Sequence, residues 1–240
     1  MIIPTSFFSS IVISPPTEFD PLSIAGSEIW LKANASVFSD AGTTPAVNLD
    51  PVYQWNDLSG NVRHAIQASA GSRPQFKTNN LNGKPTIKCD GIDDILIATG
   101  AWGLFSSVPH TYFFVMNVYG GTYLLSAAAT NGPGFGEISH GGQFTLNSGN
   151  NNIRYTHGTE PEGFKVYTLI TGTSGNIKLN NVSQASGDTG AANFANGLAI
   201  GGVNAFRSEI DFAEVIGYNS ALSAGDQTLV VNYLMTKYGL

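Results

Sequence analysis

Residues 210–240 read IDFAEVIGYNSALSAGDQTLVVNYLMTKYGL and join a strand pattern to a helix pattern. The opening segment, IDFAEVIGY, is rich in β-branched and aromatic residues and predicts a strand. Ser223 fits a helix N-cap with Asp226 three residues on, while Lys237 and Gly239 fit a helix C-terminus. Between them runs an apolar stripe: Leu229, Val230, Tyr233 and Leu234. The stretch therefore predicts a strand followed by a short helix docked on one end of the fold.

Many more strand patterns precede this stretch, separated by turn-rich segments such as TNGPG, NSGNNN and GTSGN. They are rich in β-branched and aromatic residues and cover 28–33, 52–55, 85–89, 94–98, 111–119, 122–127, 143–147, 164–172, 176–181 and 198–202. The chain has 240 residues and is 42% hydrophobic, which is enough for one sizeable core. We therefore expect an all-β fold made of two antiparallel sheets packed as a sandwich.

Charge and cysteine content exclude several classes of site. The chain has 17 acidic and 11 basic side chains without a Lys/Arg cluster, so we expect no nucleic-acid partner. Its histidines are far apart and lack an i, i+4 pair, and the single Cys89 allows neither an intrachain disulfide nor a thiolate metal cluster. No stretch has the roughly 20 apolar residues of a membrane-spanning helix, so we expect no membrane insertion.

Residues 1–26, MIIPTSFFSSIVISPPTEFDPLSIAG, predict an extended Pro-rich N-terminal arm. Pro4, Pro15, Pro16 and Pro21 are incompatible with a helix and limit strand pairing to sheet edges. The segment has no Lys or Arg, so we expect no cleaved signal peptide. We expect the arm to dock on other subunits of an oligomer or assembly, and residues 27–240 to form one domain.

Several motifs, in their order along the chain, resemble a known family. IWLKANA, WNDLSGNVRHAIQ, NNLNGKPTIKCDGIDDILI, GLAIGG and the closing stretch resemble the laminin-G-like, concanavalin-A-like jelly-roll domains of bacteriophage structural proteins and bacterial surface proteins. The resemblance covers roughly residues 28–240 and implies a two-sheet antiparallel jelly-roll sandwich. It implies less about function, because the same sandwich hosts lectins, glycosidases, adhesion modules and capsid decorations.

Two acidic segments each allow a structural and a metal-binding interpretation. In WNDLSGNVRHA, residues 55–65, the Asp57 carboxylate precedes a Ser-Gly-Asn turn and can accept the amide hydrogens of that turn. The segment CDGIDDILI predicts a Gly-containing turn that leads into a core strand. The alternative, implied by the resemblance, is a rim calcium site in which Asp57 joins Asp90, Asp93 or Asp94. The spacing matches no calcium-loop motif, so only the fold can bring these carboxylates together.

Residues 209–214 spell E-x-D-x-x-E and resemble the catalytic signature of laminarinase- and agarase-type glycoside hydrolases built on the same jelly roll. The resemblance implies Glu209 as nucleophile, Asp211 as helper and Glu214 as acid/base. Retaining hydrolysis needs two carboxyl groups about 5 Å apart. In those enzymes, however, the signature lies mid-chain, and the flanking AEVIGYNSALS fits the non-catalytic laminin-G pattern. We therefore expect no catalytic site and keep the hydrolase as the least favoured alternative.

The loop segment LNSGNNNIRYTHGTEPEG is polar and long enough to bind a ligand. A lectin site there would contact sugar hydroxyls and supply an aromatic platform through Asn150, Asn151, Asn152, Tyr155 and His157. The other interpretation is a pair of solvated hairpin loops.

Taken together, these features favour a non-enzymatic virion structural protein of a bacteriophage, a head-decoration or fibre-associated subunit on the virion surface. The alternative is a carbohydrate-binding adhesion module on a bacterial or phage-tail surface, located extracellularly or on the bacterial cell surface, with host surface glycans as partners. We expect no cofactor for the first function, whereas calcium could assist the second.

Overall fold

The computed structural model describes residues 19–104, 109–127, 137–139, 142–148, 151–156, 163–190, 196–203 and 205–240. Within these residues, two antiparallel sheets enclose a common apolar core, and one helix follows the last strand. The prediction of an all-β sandwich with a C-terminal helix is confirmed.

The strands, numbered in chain order, are β1 Ser27–Lys32, β2 Val37–Phe38, β3 Gln54–Trp55, β4 Ala65–Ile66, β5 Gln75–Leu81, β6 Lys84–Asp90, β7 Leu96–Ala98, β8 Thr111–Gly121, β9 Tyr123–Ser126, β10 Glu137–Ser139, β11 Gln143–Asn147, β12 Asn152–Thr156, β13 Lys165–Ile170, β14 Gly175–Leu179, β15 Val182–Gly187, β16 Leu198–Ile200, β17 Gly202–Val203 and β18 Phe206–Tyr218. The helix, α1, spans Ala224–Tyr238. Among the described residues, no helix has the length and apolar character that crossing a bilayer requires.

The strand β18 lies near the centre of the sheet that carries the candidate site. In this sheet, sheet I, the strand order is β15-β14-β13-β8-β18-β6-β5, with β1 and β17 also paired to β18. Sheet II has the order β12-β11-β10-β9-β16-β7-β4-β3-β2. Residues from Ile210 to Tyr218 are all buried, because β18 is covered on one face by the core and on much of the other by α1.

Helix α1 begins and ends where its capping residues predict. The Ser223 hydroxyl accepts a hydrogen bond from the Asp226 amide at 3.1 Å, and Gly239 ends the helix with a positive φ of 67°. The location of the helix differs from the prediction. It packs on the outer face of sheet I, against residues of β8, β13 and β18, rather than on an end of the sandwich.

Residues 19–26, the described end of the predicted arm, fold back on the sandwich instead of extending away. Pro21–Ser23 form a short 3-10 helix, and the Tyr218 hydroxyl donates a hydrogen bond to the Pro21 carbonyl at 2.9 Å. The rings of Phe19 and Tyr233 lie 5.9 Å apart. Residues 1–18 lie outside the described residues, so their docking on other subunits stays a prediction.

The buried face of α1 generates a prediction with a matched control. Leu234 is fully buried against sheet I, whereas Leu229, which the sequence places on the same stripe, is 50% exposed. We expect Leu234→Ala to lower the free energy of unfolding by about 2–5 kcal/mol, because it leaves a cavity. Leu229→Ala should change it by less than about 0.5 kcal/mol. Urea unfolding measures both, and equal losses would contradict this placement of the helix.

Candidate functional site

The Asp57 carboxylate organises the turn in which it lies. Oδ1 accepts hydrogen bonds from the Trp30 and Ser59 amides, each at 2.9 Å. Oδ2 accepts from the Ser59 hydroxyl at 2.8 Å and from the Arg63 amide at 3.0 Å. These bonds occupy both oxygens of a buried side chain and tie the 55–65 turn to β1. Asp57 is not a member of the described acidic group, which contains only Asp90, Asp93 and Asp94.

A buried charge cluster around Glu28 supports the same turn. Glu28 accepts a hydrogen bond from the Tyr112 hydroxyl at 2.7 Å and lies 3.4 Å from His110 Nε2 and 3.3 Å from Arg63 Nη1. Burial acts to raise the pKa of Glu28, but the His110 and Tyr112 hydrogen bonds and the nearby charges outweigh it and lower the pKa overall. The cluster links β1, β8 and the 55–65 turn.

Glu214 is a structural residue beneath helix α1. Its side chain is fully buried and accepts hydrogen bonds from Trp30 Nε1 at 2.6 Å, the Tyr233 hydroxyl at 3.1 Å and the Tyr238 hydroxyl at 2.8 Å. Lys237 completes the group with an ion pair to the same carboxylate. A carboxyl enclosed in this way cannot reach the leaving-group oxygen of a bound sugar, so the structure does not support the acid/base role that the hydrolase alternative gives Glu214.

Glu209 and Asp211, by contrast, belong to a polar area on the part of the outer face of sheet I that α1 does not cover. Asp211 lies opposite Lys88 on β6 and Asn117 on β8. Lys88 Nζ donates to Glu209 Oε1 at 2.7 Å and lies 4.7 Å from the centre of the Tyr119 ring. We call Lys88, Tyr119, Glu209 and Asp211 the Tyr119 patch.

The Tyr119 patch combines an exposed ring with fixed polar groups. Tyr119 is 45% exposed, although it is a large aromatic residue. Its hydroxyl donates to Asp211 Oδ2 at 2.7 Å, and Asp211 itself is fully buried. Burial, followed by the hydrogen bond to Asp211, raises the pKa of Tyr119 to about 12. The hydroxyl therefore stays protonated and holds the ring in one orientation.

The turn at residues 90–94 brings three more carboxylates beside this patch. Asp90 lies opposite Glu209 across β6 and β18. Gly91 has a φ of +81°, and a Cβ there would lie 2.9 Å from the Glu209 backbone nitrogen. Only glycine therefore lets this turn lie so close to β18. Oxygen atoms of Asp90, Asp93 and Asp94 lie within 4.8 Å of one another.

These three carboxylates fit a calcium ion only in part. Calcium takes six to eight oxygen ligands, and the cluster offers carboxylates from one turn. Asp90 Oδ1 already accepts the Ile92 amide at 2.8 Å, and Asp94 Oδ2 accepts the Asp90 amide at 3.0 Å. If calcium binds, the remaining oxygens of Asp90, Asp93 and Asp94 would be its ligands. The bound ion would then coordinate hydroxyl groups of a sugar. Calcium binding stays a prediction.

The predicted lectin loop is only partly within the described residues. Asn150 and His157 lie outside them. Asn151 donates to Asp188 Oδ2 at 2.8 Å, and Asn152 is exposed at the start of β12. Tyr155 is partly buried and packs against the core, so its ring is not the open platform that the lectin interpretation requires. Sugar binding by Asn151 and Asn152 stays a prediction.

Tyr119 is the candidate residue that sequence reasoning missed. It ends the apolar run TYFFVMNVY, which predicts a core strand without marking its last residue as exposed. Lys88 was missed in the same way, since it lies inside PTIKC. The signal that could have identified Lys88 is the alternation along β6. Thr86, Lys88 and Asp90 are polar at every second position, which places them on one face of the strand.

No protein-family model and no curated protein sequence matches the chain. Solved structures match its fold. A Trypanosoma rangeli sialidase aligns with a TM-score of 0.56 at 16% identity, over 89% of this chain and 33% of that chain. A mutant of that sialidase displaying trans-sialidase activity aligns with a TM-score of 0.57 at 18% identity, with the same coverage, 89% and 33%. A structure described for cell entry of botulinum neurotoxin type C and its interaction with two ganglioside molecules aligns with a TM-score of 0.50 at 9% identity, over 87% and 51%.

These likenesses show the fold, a β-sandwich that also occurs in sialidase and neurotoxin structures. The chain spans about a third of the sialidase chains and about half of the neurotoxin chain. The expectation that the chain is not an enzyme is contradicted, because the neighbours include sialidases, which are enzymes. At this identity the likeness assigns no activity to the chain.

The two glutamates of the E-x-D-x-x-E motif generate one prediction. We expect Glu214→Gln to lower the free energy of unfolding by about 3–5 kcal/mol, because it removes the buried charge that pairs with Lys237 and accepts hydrogen bonds from Trp30, Tyr233 and Tyr238. Glu209→Gln removes only a partly exposed ion pair and should cost less than about 1 kcal/mol. Urea unfolding at neutral pH compares them. A Glu214→Gln protein as stable as the wild type would contradict the structural role.

Asp94 generates a prediction about pH. Burial raises its pKa from 3.8 to about 6, so the folded state holds this proton more tightly than the unfolded state does. The contribution of Asp94 to stability is therefore present at low pH and is lost as pH rises through about 6. The Asn side chain of the Asp94→Asn variant does not titrate, so the variant should not lose stability in this way as pH rises. Urea unfolding from about pH 4 to 7 should show the variant gaining stability relative to the wild type, whereas a constant difference would refute the assignment.

Proposed function

We propose that this chain is a carbohydrate-binding β-sandwich domain and that the Tyr119 patch contacts the sugar. The observation that carries the proposal is the exposed Tyr119 ring, fixed by Asp211 on an otherwise polar sheet face. An exposed aromatic ring held by a buried carboxylate is a preorganised binding surface.

The chemistry of the patch suits a sugar ring. A pyranose has an apolar face of C–H bonds and an edge of hydroxyl groups. The Tyr119 ring supplies an apolar surface on which the C–H face can pack. Glu209 supplies an acceptor and Lys88 a donor for the hydroxyl groups, because a carboxylate accepts several hydrogen bonds and an ammonium donates three. Lys88 uses one of these donors on Glu209.

The structural neighbours support the same class of ligand. One is described as interacting with two ganglioside molecules, and another as a sialidase in complex with sialic acid. Both descriptions concern those proteins, and the low identity transfers no residue from them. They favour the carbohydrate-binding alternative over the virion structural role, which has no support among these neighbours.

The remaining predictions about context stay open to test. Under this proposal the partner is a surface glycan, and the protein acts extracellularly or on a bacterial or viral surface. Residues 1–26 as an assembly arm, residues 27–240 as one domain, and calcium as an accessory ion stay predictions. Co-sedimentation with virus particles and with bacterial envelopes, with and without residues 1–18, would separate an assembly role from glycan binding.

The test of the proposal begins with a glycan array that carries ganglioside, neutral β-glucan and galactan oligosaccharides. For the best-bound oligosaccharide, we expect Tyr119→Ala to weaken affinity at least about tenfold, or ~1.4 kcal/mol. Tyr119→Phe keeps the ring but removes the hydrogen bond to Asp211 that holds it, so we expect a loss of affinity smaller than that of Tyr119→Ala. Leu229→Ala, an exposed apolar change on α1, is the matched control and should bind like the wild type.

Two results would overturn the proposal. One is an array on which the full chain retains no oligosaccharide. The other is a Tyr119→Ala protein that is folded by circular dichroism and binds with unchanged affinity.

A further inference from the structure

A cleft beside the Tyr119 patch is lined by charges of both signs. It encloses about 390 Å³ between β5, β6 and the 90–94 turn. This lies at the small end of the range for ligand pockets, about 300–1,000 Å³. Its lining residues include Arg73, Lys77, Lys88, Asp90, Asp93 and Asp94. Lys88 belongs to both the cleft and the Tyr119 patch, so the two surfaces are continuous.

Among the described residues, the acidic and basic side chains that line this cleft form no direct ion pair with one another. Among the described residues, Asp90, Asp93 and Asp94 form no ion pair with a cation. Their partners are backbone amides and the Ser72 hydroxyl. Within the described part of the chain no cation forms an ion pair with these carboxylates, and the nearby basic residue is Arg207, whose Nε donates a hydrogen bond to the Asp93 backbone carbonyl at 3.3 Å.

Two of the three basic lining residues, Arg73 and Lys77, also form no ion pair with a described residue. Arg73 donates through Nε and Nη2 to the backbone carbonyls of Gln67 and Ala68, at 3.0 and 2.9 Å, and lies over the Tyr53 ring. These neutral partners fix the guanidinium and leave its charge unpaired. Lys77 likewise has no ion pair within the described part of the chain. Lys88 alone is paired, with Glu209.

We infer that the cleft binds a saccharide unit that carries both an ammonium group and an anionic group, as a phosphorylated or carboxylated amino sugar does. The ammonium pairs with Asp90, Asp93 and Asp94, and the anionic group pairs with Arg73 and Lys77. This inference rests on the proposed carbohydrate-binding function and names its substrate class. A ligand with one charge would face uncompensated repulsion on one side of the cleft, and a neutral sugar would leave both sides unpaired.

The experiment compares four monosaccharide probes by NMR titration of the full chain in buffer with EGTA. The probes are glucosamine 6-phosphate, glucose 6-phosphate, glucosamine and glucose, which differ only in the two charges. We expect glucosamine 6-phosphate to bind at least about ten times more tightly than any other probe.

Two variants assign the charges to the two sides. Asp93→Asn should reduce the advantage of glucosamine 6-phosphate over glucose 6-phosphate and leave its advantage over glucosamine. Lys77→Met should reduce the advantage of glucosamine 6-phosphate over glucosamine and leave its advantage over glucose 6-phosphate. Lys84→Met, on the same strand β6 but outside the cleft, is the matched control and should change neither ratio.

The outcomes separate this inference from the proposed function. Equal binding of the four probes, or binding of both phosphates only when calcium is added, would overturn the inference. If oligosaccharides then still bind in a Tyr119-dependent way, the proposed function survives alone. If the probes are discriminated as expected but oligosaccharide binding ignores Tyr119, the charge assignment holds and the Tyr119 patch is the part that fails.

Discussion

The outer face of sheet I depends on the contacts of one buried carboxylate. This is the Glu214 side chain, which lies between β18 and α1. A buried charge is tolerated only when it is paired and hydrogen-bonded. Trp30 from β1 and Tyr233, Lys237 and Tyr238 from α1 meet this requirement together. The same carboxylate thereby fixes the helix to two strands. The helix and residues 19–26 cover part of the sheet, and neither covers the polar part that carries the half-exposed Tyr119.

The sequence predicted the elements whose signals are local. The strand at 143–147 and the ends of α1 follow from an apolar run and from capping chemistry. Short or polar strands such as Val37–Phe38 and Val182–Gly187 were missed, because their pairing depends on neighbours distant in sequence. The face of α1 was also misjudged at Leu229, since the apolar stripe alone does not say which edge meets the sheet.

The sequence predicts single segments of the candidate site, but it does not predict which segments lie next to each other in the sheet. The bonds from Ser59 and Arg63 to Asp57 lie within a few residues and are predictable from the residue order, whereas the bond from the Trp30 amide, which ties the turn to β1, is not. Glu209, Asp211 and Asp90 belong to two segments more than a hundred residues apart, which were assigned different functions. The register of β6 against β18 makes them neighbours and adds Lys88. Register is set by the whole sheet and by the bulges of β18, so no single segment encodes it.

If both surfaces bind a glycan as proposed, the shared position of Lys88 would couple them thermodynamically. Its ammonium contacts Glu209 and the Tyr119 ring on one side and borders the cleft on the other. Under the two proposals, an anionic group in the cleft that attracted this ammonium would free an oxygen of Glu209 to accept a hydrogen bond from a sugar hydroxyl on the ring. By linkage, a sugar on the ring then strengthens the cleft's affinity for its ligand by the same factor. One lysine would thus make adjacent units of a glycan bind cooperatively.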